Sequence, residues 1–142
     1  NGLAFSPDEG TLYVANTRKD NDCQQEKERG ETCPHQFINA YDVAPDGTTS
    51  NGRLFANMHS AEDGVPDGMK VDVEGNVYCG GSGGLWIMDQ TGSHLGTIVH
   101  GQSATTNLCF GGGDWKTLFF TTRGTLGRVK CNIAGIPSPT DR

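Results

Sequence analysis

The sequence lacks the features that mark several classes of protein. No apolar run approaches the ~20 residues needed to span a bilayer, and the first residues do not form a signal peptide. No basic run or aromatic-basic stripe is present and the net charge is −6, so we expect neither a membrane nor a nucleic acid as a partner. Because no segment keeps a helical periodicity over a useful length, we predict an all-β fold.

The cysteines lack a metal-binding pattern. They number five, and no paired C-x-x-C is present, so a structural zinc site is not expected. Cys79, Cys109 and Cys131 lie in or beside strand-like runs, where a reduced cysteine is usually a small buried hydrophobe. Cys23 and Cys33 bracket the most polar stretch, and we favour a local bridge between them, which an oxidising compartment would allow. The compartment, cytoplasmic or secreted, stays open.

Glycine, in contrast, is abundant. The chain has 21 glycines in 142 residues without a collagen period, which is typical of many short strands joined by turns. A unit of strand, glycine-rich turn and second strand with an aromatic residue occurs three times, in residues 1–15, 67–79 and 106–120. A second hairpin follows the first two units, in residues 37–55 and 85–98, and residues 126–130 begin a third.

Two hairpins per period make a four-stranded module, which is typical of the blades of a β-propeller. We therefore predict one partial propeller domain over residues 1–142, with about three blades and a polar insertion at residues 18–36. Three blades do not close a ring, and the chain begins at Asn1 without an initiator Met. We expect missing N-terminal blades of the same protein, or another copy of the chain, to complete the circle.

The central stretch of the sequence is residues 65–78, where Pro66 and Gly68 hold Asp67 in a rigid bend before a strand. Alignment of the three units places Asn1, Asp67 and Thr106 at equivalent positions, at the channel ends of inner strands. Amide and carboxylate oxygens are ligands for Ca²⁺, Mg²⁺ or Mn²⁺ and are tolerable for Zn²⁺. Two ligands do not make a site, however, and spacing alone favours the alternative that Asn-Gly and Asp-Gly are simply turn pairs.

Three runs carry a resemblance to a known family. Residues 1–8, residues 66–72 with 75–78, and residues 107–112 resemble the gluconolactonase family, which includes the regucalcin (senescence marker protein) and luciferin-regenerating branches. The resemblance covers nearly the whole chain except residues 18–36, and the motifs occur in the family's order.

The resemblance implies a six-bladed propeller with one divalent metal ion in its channel, of which this chain would be the C-terminal half. By the same resemblance, Asn1 and Asp67 bind the metal and Asp67 also serves as the general base in hydrolysis of a small-molecule sugar lactone. The family's glutamate ligand, a further Asn ligand and a substrate-binding Arg lie before the first motif and have no counterpart here. Two alternatives stay open: a calcium-binding propeller without turnover, and a structural or interaction propeller.

Other candidate sites have weaker patterns. Residues 80–84 match G-x-S-x-G, the nucleophile elbow of α/β-hydrolases, but a strand rather than a helix is expected after them, which favours a flexible hairpin loop. His59 precedes the central bend and could touch substrate, although a solvated loop histidine is the simpler interpretation. Residues 20–22 resemble the start of a calcium loop but lack its Gly and Glu, which favours a surface loop.

Overall fold

A computed structural model describes residues 1–17, 28–29, 36–102 and 104–137, and these residues form three antiparallel sheets. In the first sheet the strands lie in chain order: β1 (Leu3–Phe5), β2 (Thr11–Thr17), β3 (Gln36–Val43) and β4 (Thr49–Asn57). The second has the same order: β5 (Met69–Val71), β6 (Val77–Gly81), β7 (Gly84–Met88) and β8 (His94–Ile98). The third contains β9 (Thr105–Gly111), β10 (Thr117–Thr122) and β11 (Leu126–Lys130).

Aspartates at the hairpin turns explain why the chain reverses where it does. In each of these turns the carboxylate accepts a hydrogen bond from the backbone N–H two residues later, which is the Asx-turn geometry. The donor–acceptor distances are 2.8–3.1 Å, and the four pairs are Asp8 with Gly10, Asp46 with Thr48, Asp89 with Thr91, and Asp114 with Lys116.

Two apolar layers lie between the three sheets. Alternate side chains of the first sheet pack against the second, and the other face of the second sheet packs against the third, as period-two strands require. The first layer contains Tyr13, Ala15, Ile38, Ala40, Ala56, Met58, Met69, Val71, Val77, Cys79 and Met88. The second contains Tyr78, Leu85, Leu108, Phe110, Leu118 and Phe120.

The inner strands β1, β5 and β9 lie side by side because glycines allow their backbones to approach closely. A Cβ atom on Gly2 would overlap the carbonyl oxygen of Asp67, and one on Gly68 would overlap Asn107. The sheets therefore radiate from a common inner edge. The predicted all-β fold and its repeated hairpins are confirmed.

The segment after β11 returns to the second sheet. The Val73 N–H donates to Ala134 O at 2.9 Å, and the Ile136 N–H donates to Val71 O at 3.3 Å. The side chain of Ile136 then packs against the first apolar layer. The segment is attached at the C-terminal end of β5, which is the end opposite Asp67.

One local expectation is wrong. Cys109 is exposed, since it lies on the face of β9 that no sheet in the described ranges covers. Residues 80–84 form a hairpin, as expected, in which β6 and β7 enclose only Ser82 and Gly83, and the side chain of Ser82 is buried. Asp72, which follows β5, is fully buried.

Some expectations fall on residues 18–27 and 30–35. The Cys23–Cys33 bridge and the loop at residues 20–22 lie outside the described residues. Across the part of the chain that is described, no helix has the length and apolar character required to cross a bilayer.

Candidate functional site

The structure brings Asn1 and Asp67 together at the inner edge of the first two sheets. The Asn1 Nδ2 donates to Asp67 Oδ1 at 2.7 Å, although 66 positions separate the two residues in the sequence. Backbone hydrogen bonds fix both: the Asn1 amino group donates to Ala15 O at 2.8 Å, and the Asp67 N–H donates to Gly80 O at 3.1 Å. Each residue is thus attached to the second strand of its own sheet, and the two residues that the alignment of the repeats placed at equivalent positions are in contact.

The carboxylate of Asp67 has an environment that raises its basicity. Partial burial raises the pKa of Asp67 above its usual value, while the hydrogen bonds from the Asn1 side chain and the Gly68 N–H act in the opposite direction. The net pKa shift is upward. A half-buried carboxylate with a raised pKa is a better proton acceptor than an exposed one.

Thr106 occupies the equivalent position at the third sheet. Its carbonyl oxygen accepts a hydrogen bond from the Gly68 N–H at 3.0 Å, so its backbone lies directly beside that of the Asp67 bend. The Thr106 Oγ1 lies 2.9 Å from the Thr121 Oγ1 of the neighbouring strand β10. The equivalence of Asn1, Asp67 and Thr106 predicted these positions, but nothing in the sequence pattern singled out Thr121.

The donor chemistry of Asn1 and Asp67 fits a hard divalent cation, because amide and carboxylate oxygens are the ligands that such ions prefer. The 2.7 Å contact between the two residues joins Asn1 Nδ2 to Asp67 Oδ1, so it is a hydrogen bond and not a pair of ligand oxygens. Calcium takes about six to eight oxygen ligands, so these two residues alone would not make up a full donor set. Among the described residues, no group of three or more His, Cys, Asp or Glu side chains is arranged to hold a metal ion.

The weaker candidates do not join this pair as catalytic groups. The residues after Ser82 form strand β7, so the helix that a nucleophile elbow needs is absent there. The Ser82 Oγ lies in the core within 3.3 Å of Gln36 Oε1 and 3.2 Å of Gly64 O. His59 has an exposed side chain, and its backbone N–H donates to Asn57 Oδ1 at 2.9 Å.

Comparisons with known proteins identify relatives of this chain. A lactonohydrolase from Aspergillus oryzae is 32% identical over 143 residues, which cover 95% of this chain and 30% of that protein. Regucalcin from Danio rerio is 38% identical over 85 residues, covering 58% of this chain and 28% of that protein. A solved gluconolactonase from Xanthomonas campestris aligns with a TM-score of 0.69 and 32% identity, covering 92% of this chain and 37% of that one.

The chain thus spans about a third of the length of these relatives. Its three radiating sheets are blades of a β-propeller, as the sequence predicted. The family model described as SMP-30/gluconolactonase/LRE-like region matches residues 1–124. The chain belongs to the SMP-30/gluconolactonase/LRE-like family.

Proposed function

We propose that the protein containing this chain hydrolyses a sugar lactone with the help of one divalent metal ion, Ca²⁺, Mg²⁺, Mn²⁺ or Zn²⁺. The observation that carries the proposal is the convergence of Asn1 and Asp67, from two different blades, within 2.7 Å. The likeness to a lactonohydrolase and a gluconolactonase supports the choice of reaction.

Asp67 is the general base in this proposal. Its carboxylate accepts a proton from the water molecule that attacks the lactone carbonyl. Asn1 keeps the carboxylate oriented through its amide hydrogen bond. A metal ion bound by Asn1 and Asp67 would supply Lewis-acid stabilisation of the oxyanion. A lactone is an activated ester, so a carboxylate base is sufficient.

We propose that further blades of the same polypeptide, rather than another copy of the chain, supply the remaining donors. Two observations support this. The outer faces of the first and third sheets carry exposed apolar side chains, with Leu3 exposed by 58% and Leu126 by 72%. The chain also spans only about a third of its relatives. A propeller that closes its ring would cover both faces.

The test is an assay of the complete polypeptide that contains residues 1–142. After treatment with EDTA, acid release from glucono-1,5-lactone is measured with and without each divalent metal, and spontaneous hydrolysis is subtracted. We expect activity to be lost with EDTA and restored by at least one metal. Activity that is unaffected by EDTA would contradict the metal dependence.

The alternative of a calcium-binding propeller without turnover is supported by the likeness to regucalcin. The same assay separates the two. Metal-dependent thermal stabilisation without lactone hydrolysis would favour the binding protein and overturn the lactonase. Absence of both effects would leave a structural or interaction propeller.

A further inference from the structure

We propose that Ser82 is a positioning residue that holds Asp67 against Asn1. The inference rests on the proposed function and gives the G-x-S-x-G run at residues 80–84 a role in that site. Ser82 acts through the chain segment that leads to Asp67, and it is not a nucleophile.

The hairpin between β6 and β7 anchors the segment that leads to Asp67 at both of its ends. At the near end, the Asp67 N–H donates to Gly80 O at 3.1 Å, and the Gly80 N–H donates to Gly68 O at 3.0 Å. At the far end, the Gly83 N–H donates to Asp63 O at 2.8 Å. The position of Asp67 therefore depends on the position of this hairpin.

The hydroxyl group of Ser82 adds a side-chain contact to this backbone network. Its Oγ lies 3.2 Å from Gly64 O, and Gly64 is three positions before Asp67. Pro66, which lies between them, is fully buried, and its ring fixes the backbone φ angle. Because this short segment is stiff, we infer that a shift of Gly64 is transmitted to Asp67.

A second contact of the same hydroxyl group reaches the first sheet. The Ser82 Oγ lies 3.3 Å from Oε1 of Gln36, the residue that begins β3. A hydroxyl group carries one proton, so Ser82 donates to one of its two partners at a time. Both side chains are buried, so water has little access to replace the hydroxyl group. Ser82 thus connects the sheet that carries Asn1 with the segment that carries Asp67.

The glycines around Ser82 allow neighbouring segments to pack closely on the hairpin. A Cβ atom on Gly80 would overlap the carbonyl oxygen of Thr105, and one on Gly64 would overlap the carbonyl oxygen of Gly81. The G-x-S-x-G match is therefore explained by close packing around a buried hydroxyl group.

The experiment compares Ser82→Ala with Ser6→Ala in the complete polypeptide. Ser6 is the matched control because it is also a buried serine of a hairpin turn, where its hydroxyl group donates to Asp8 Oδ1 at 2.6 Å and accepts from the Thr11 N–H at 2.9 Å. It follows β1, at the end opposite Asn1.

Two measurements are made on each variant, below the temperature at which its melting curve shows unfolding to begin. The first gives kcat and KM for glucono-1,5-lactone. The second gives the concentration of Ca²⁺, Mg²⁺, Mn²⁺ or Zn²⁺ that produces half of the metal-dependent rise in melting temperature, and it does not depend on turnover.

We expect Ser82→Ala to lower kcat by about 3- to 10-fold, the loss typical of one hydrogen bond, with KM nearly unchanged, because Asp67 acts on the attacking water. The half-saturating metal concentration should rise by a similar factor, since Asp67 is also a proposed metal ligand. Ser6→Ala should keep both values while its melting temperature falls about as much. If Ser82→Ala does not fold, Ser82→Cys decides, because it keeps the shape but donates only weakly.

Equal effects in the two alanine variants, or no effect of Ser82→Ala on either measurement, would overturn the positioning role while leaving the proposed function standing. If the unsubstituted protein is stabilised by a metal but hydrolyses no lactone, the proposed hydrolysis is wrong, and the metal titration alone decides the role of Ser82. If it shows neither effect, the proposed function is wrong and the positioning role with it.

Discussion

At the scale of single residues, Asp67 and Asp72 lie at the two ends of the same short strand, yet their carboxylates have opposite surroundings. Asp72 is fully buried and accepts four hydrogen bonds: from the N–H groups of Glu74 and Asn76, the Asn76 amide and the Tyr78 hydroxyl, at 2.8–3.1 Å. Asp67 is half-buried and accepts from the side chain of Asn1. Asp72 therefore holds a turn, whereas Asp67 keeps lone pairs available for chemistry.

We predict that Asp72→Ala lowers the free energy of unfolding by about 2–4 kcal/mol, because it leaves several buried donors without an acceptor. Urea unfolding, followed by circular dichroism, measures the change. Asp114→Ala is the control, since its ion pair with Lys130 is exposed and its loss should lower the free energy of unfolding much less. Equal losses in the two variants would contradict the role of Asp72.

The cysteines supply a second prediction at this scale. Burial raises the pKa of the Cys79 thiol to about 12, whereas Cys109 is exposed. Among the three cysteines that the structure describes, iodoacetamide at pH 8 should therefore label Cys109 first, the half-buried Cys131 more slowly, and Cys79 only after unfolding. Peptide mapping by mass spectrometry gives the order. Rapid labelling of Cys79 in the folded protein would show that the first apolar layer is wrongly placed.

The sequence allowed the bend at Asp67 and its equivalence with Asn1 to be predicted, but not the burial of Asp72, and the reason is physical. Proline and glycine around Asp67 are local turn signals, and its alignment with Asn1 gave the partner. The burial of Asp72 depends on Tyr78 and on the returning segment at Gly135, which pairs with Asp72. These long-range contacts leave no periodic pattern in the sequence.

At the scale of elements, the close approach of the inner strands depends on glycine. We predict that Gly68→Ala destabilises the fold by about 1–3 kcal/mol, because the new Cβ would overlap Asn107 and push β5 away from β9. The control is Gly124→Ala, where a Cβ meets nothing within 4 Å. Thermal melting compares the two, and a Gly68→Ala variant as stable as the control would contradict the packing of the inner strands.

The hairpins were predictable because their turns carry local signals, namely glycine with aspartate. The extent of some strands was not. The hairpin at residues 37–55 was expected to end at residue 55, but pairing with β3 extends β4 to Thr49–Asn57. The return of residues 131–137 to the second sheet was also missed, since it depends on backbone hydrogen bonds to Val71 and Val73 that no side-chain pattern encodes.

At the scale of the whole molecule, the exposed aspartates give a pH dependence of stability. Hydrogen bonds from neighbouring side chains and N–H groups lower the pKa below its usual value of 3.8 at five carboxylates: Asp8, Asp42, Asp46, Asp89 and Asp114. A carboxylate whose pKa is lowered by folding stabilises the protein at pH values above the pKa that the group has in the unfolded chain. This stabilisation is lost as the pH falls through the lower pKa of the folded state.

We therefore expect these five carboxylates to leave the melting temperature unchanged between about pH 7 and pH 5. Below about pH 4 their protonation should lower it progressively. Melting curves between pH 2 and pH 7 test this. A melting temperature that rises below pH 4 would contradict the assigned direction of these shifts.

The arrangement of the blades was predictable because the repeat recurs along the chain, but the completeness of the site was not. Asn1 and Asp67 meet only because two blades pack at their inner edges, and the described residues contain no group of three or more His, Cys, Asp or Glu that could hold a metal ion. The chain spans about a third of the length of its relatives.

The measurement that tests the central claim most directly is the lactonase activity of Asp67→Asn in the complete, metal-loaded polypeptide. This substitution keeps the shape of the side chain but removes the proton acceptor. We predict that kcat for glucono-1,5-lactone falls by roughly 10²- to 10⁴-fold with an unchanged melting temperature, while the distant Asp114→Asn control stays active. Retained activity in Asp67→Asn would show that Asp67 is not the general base.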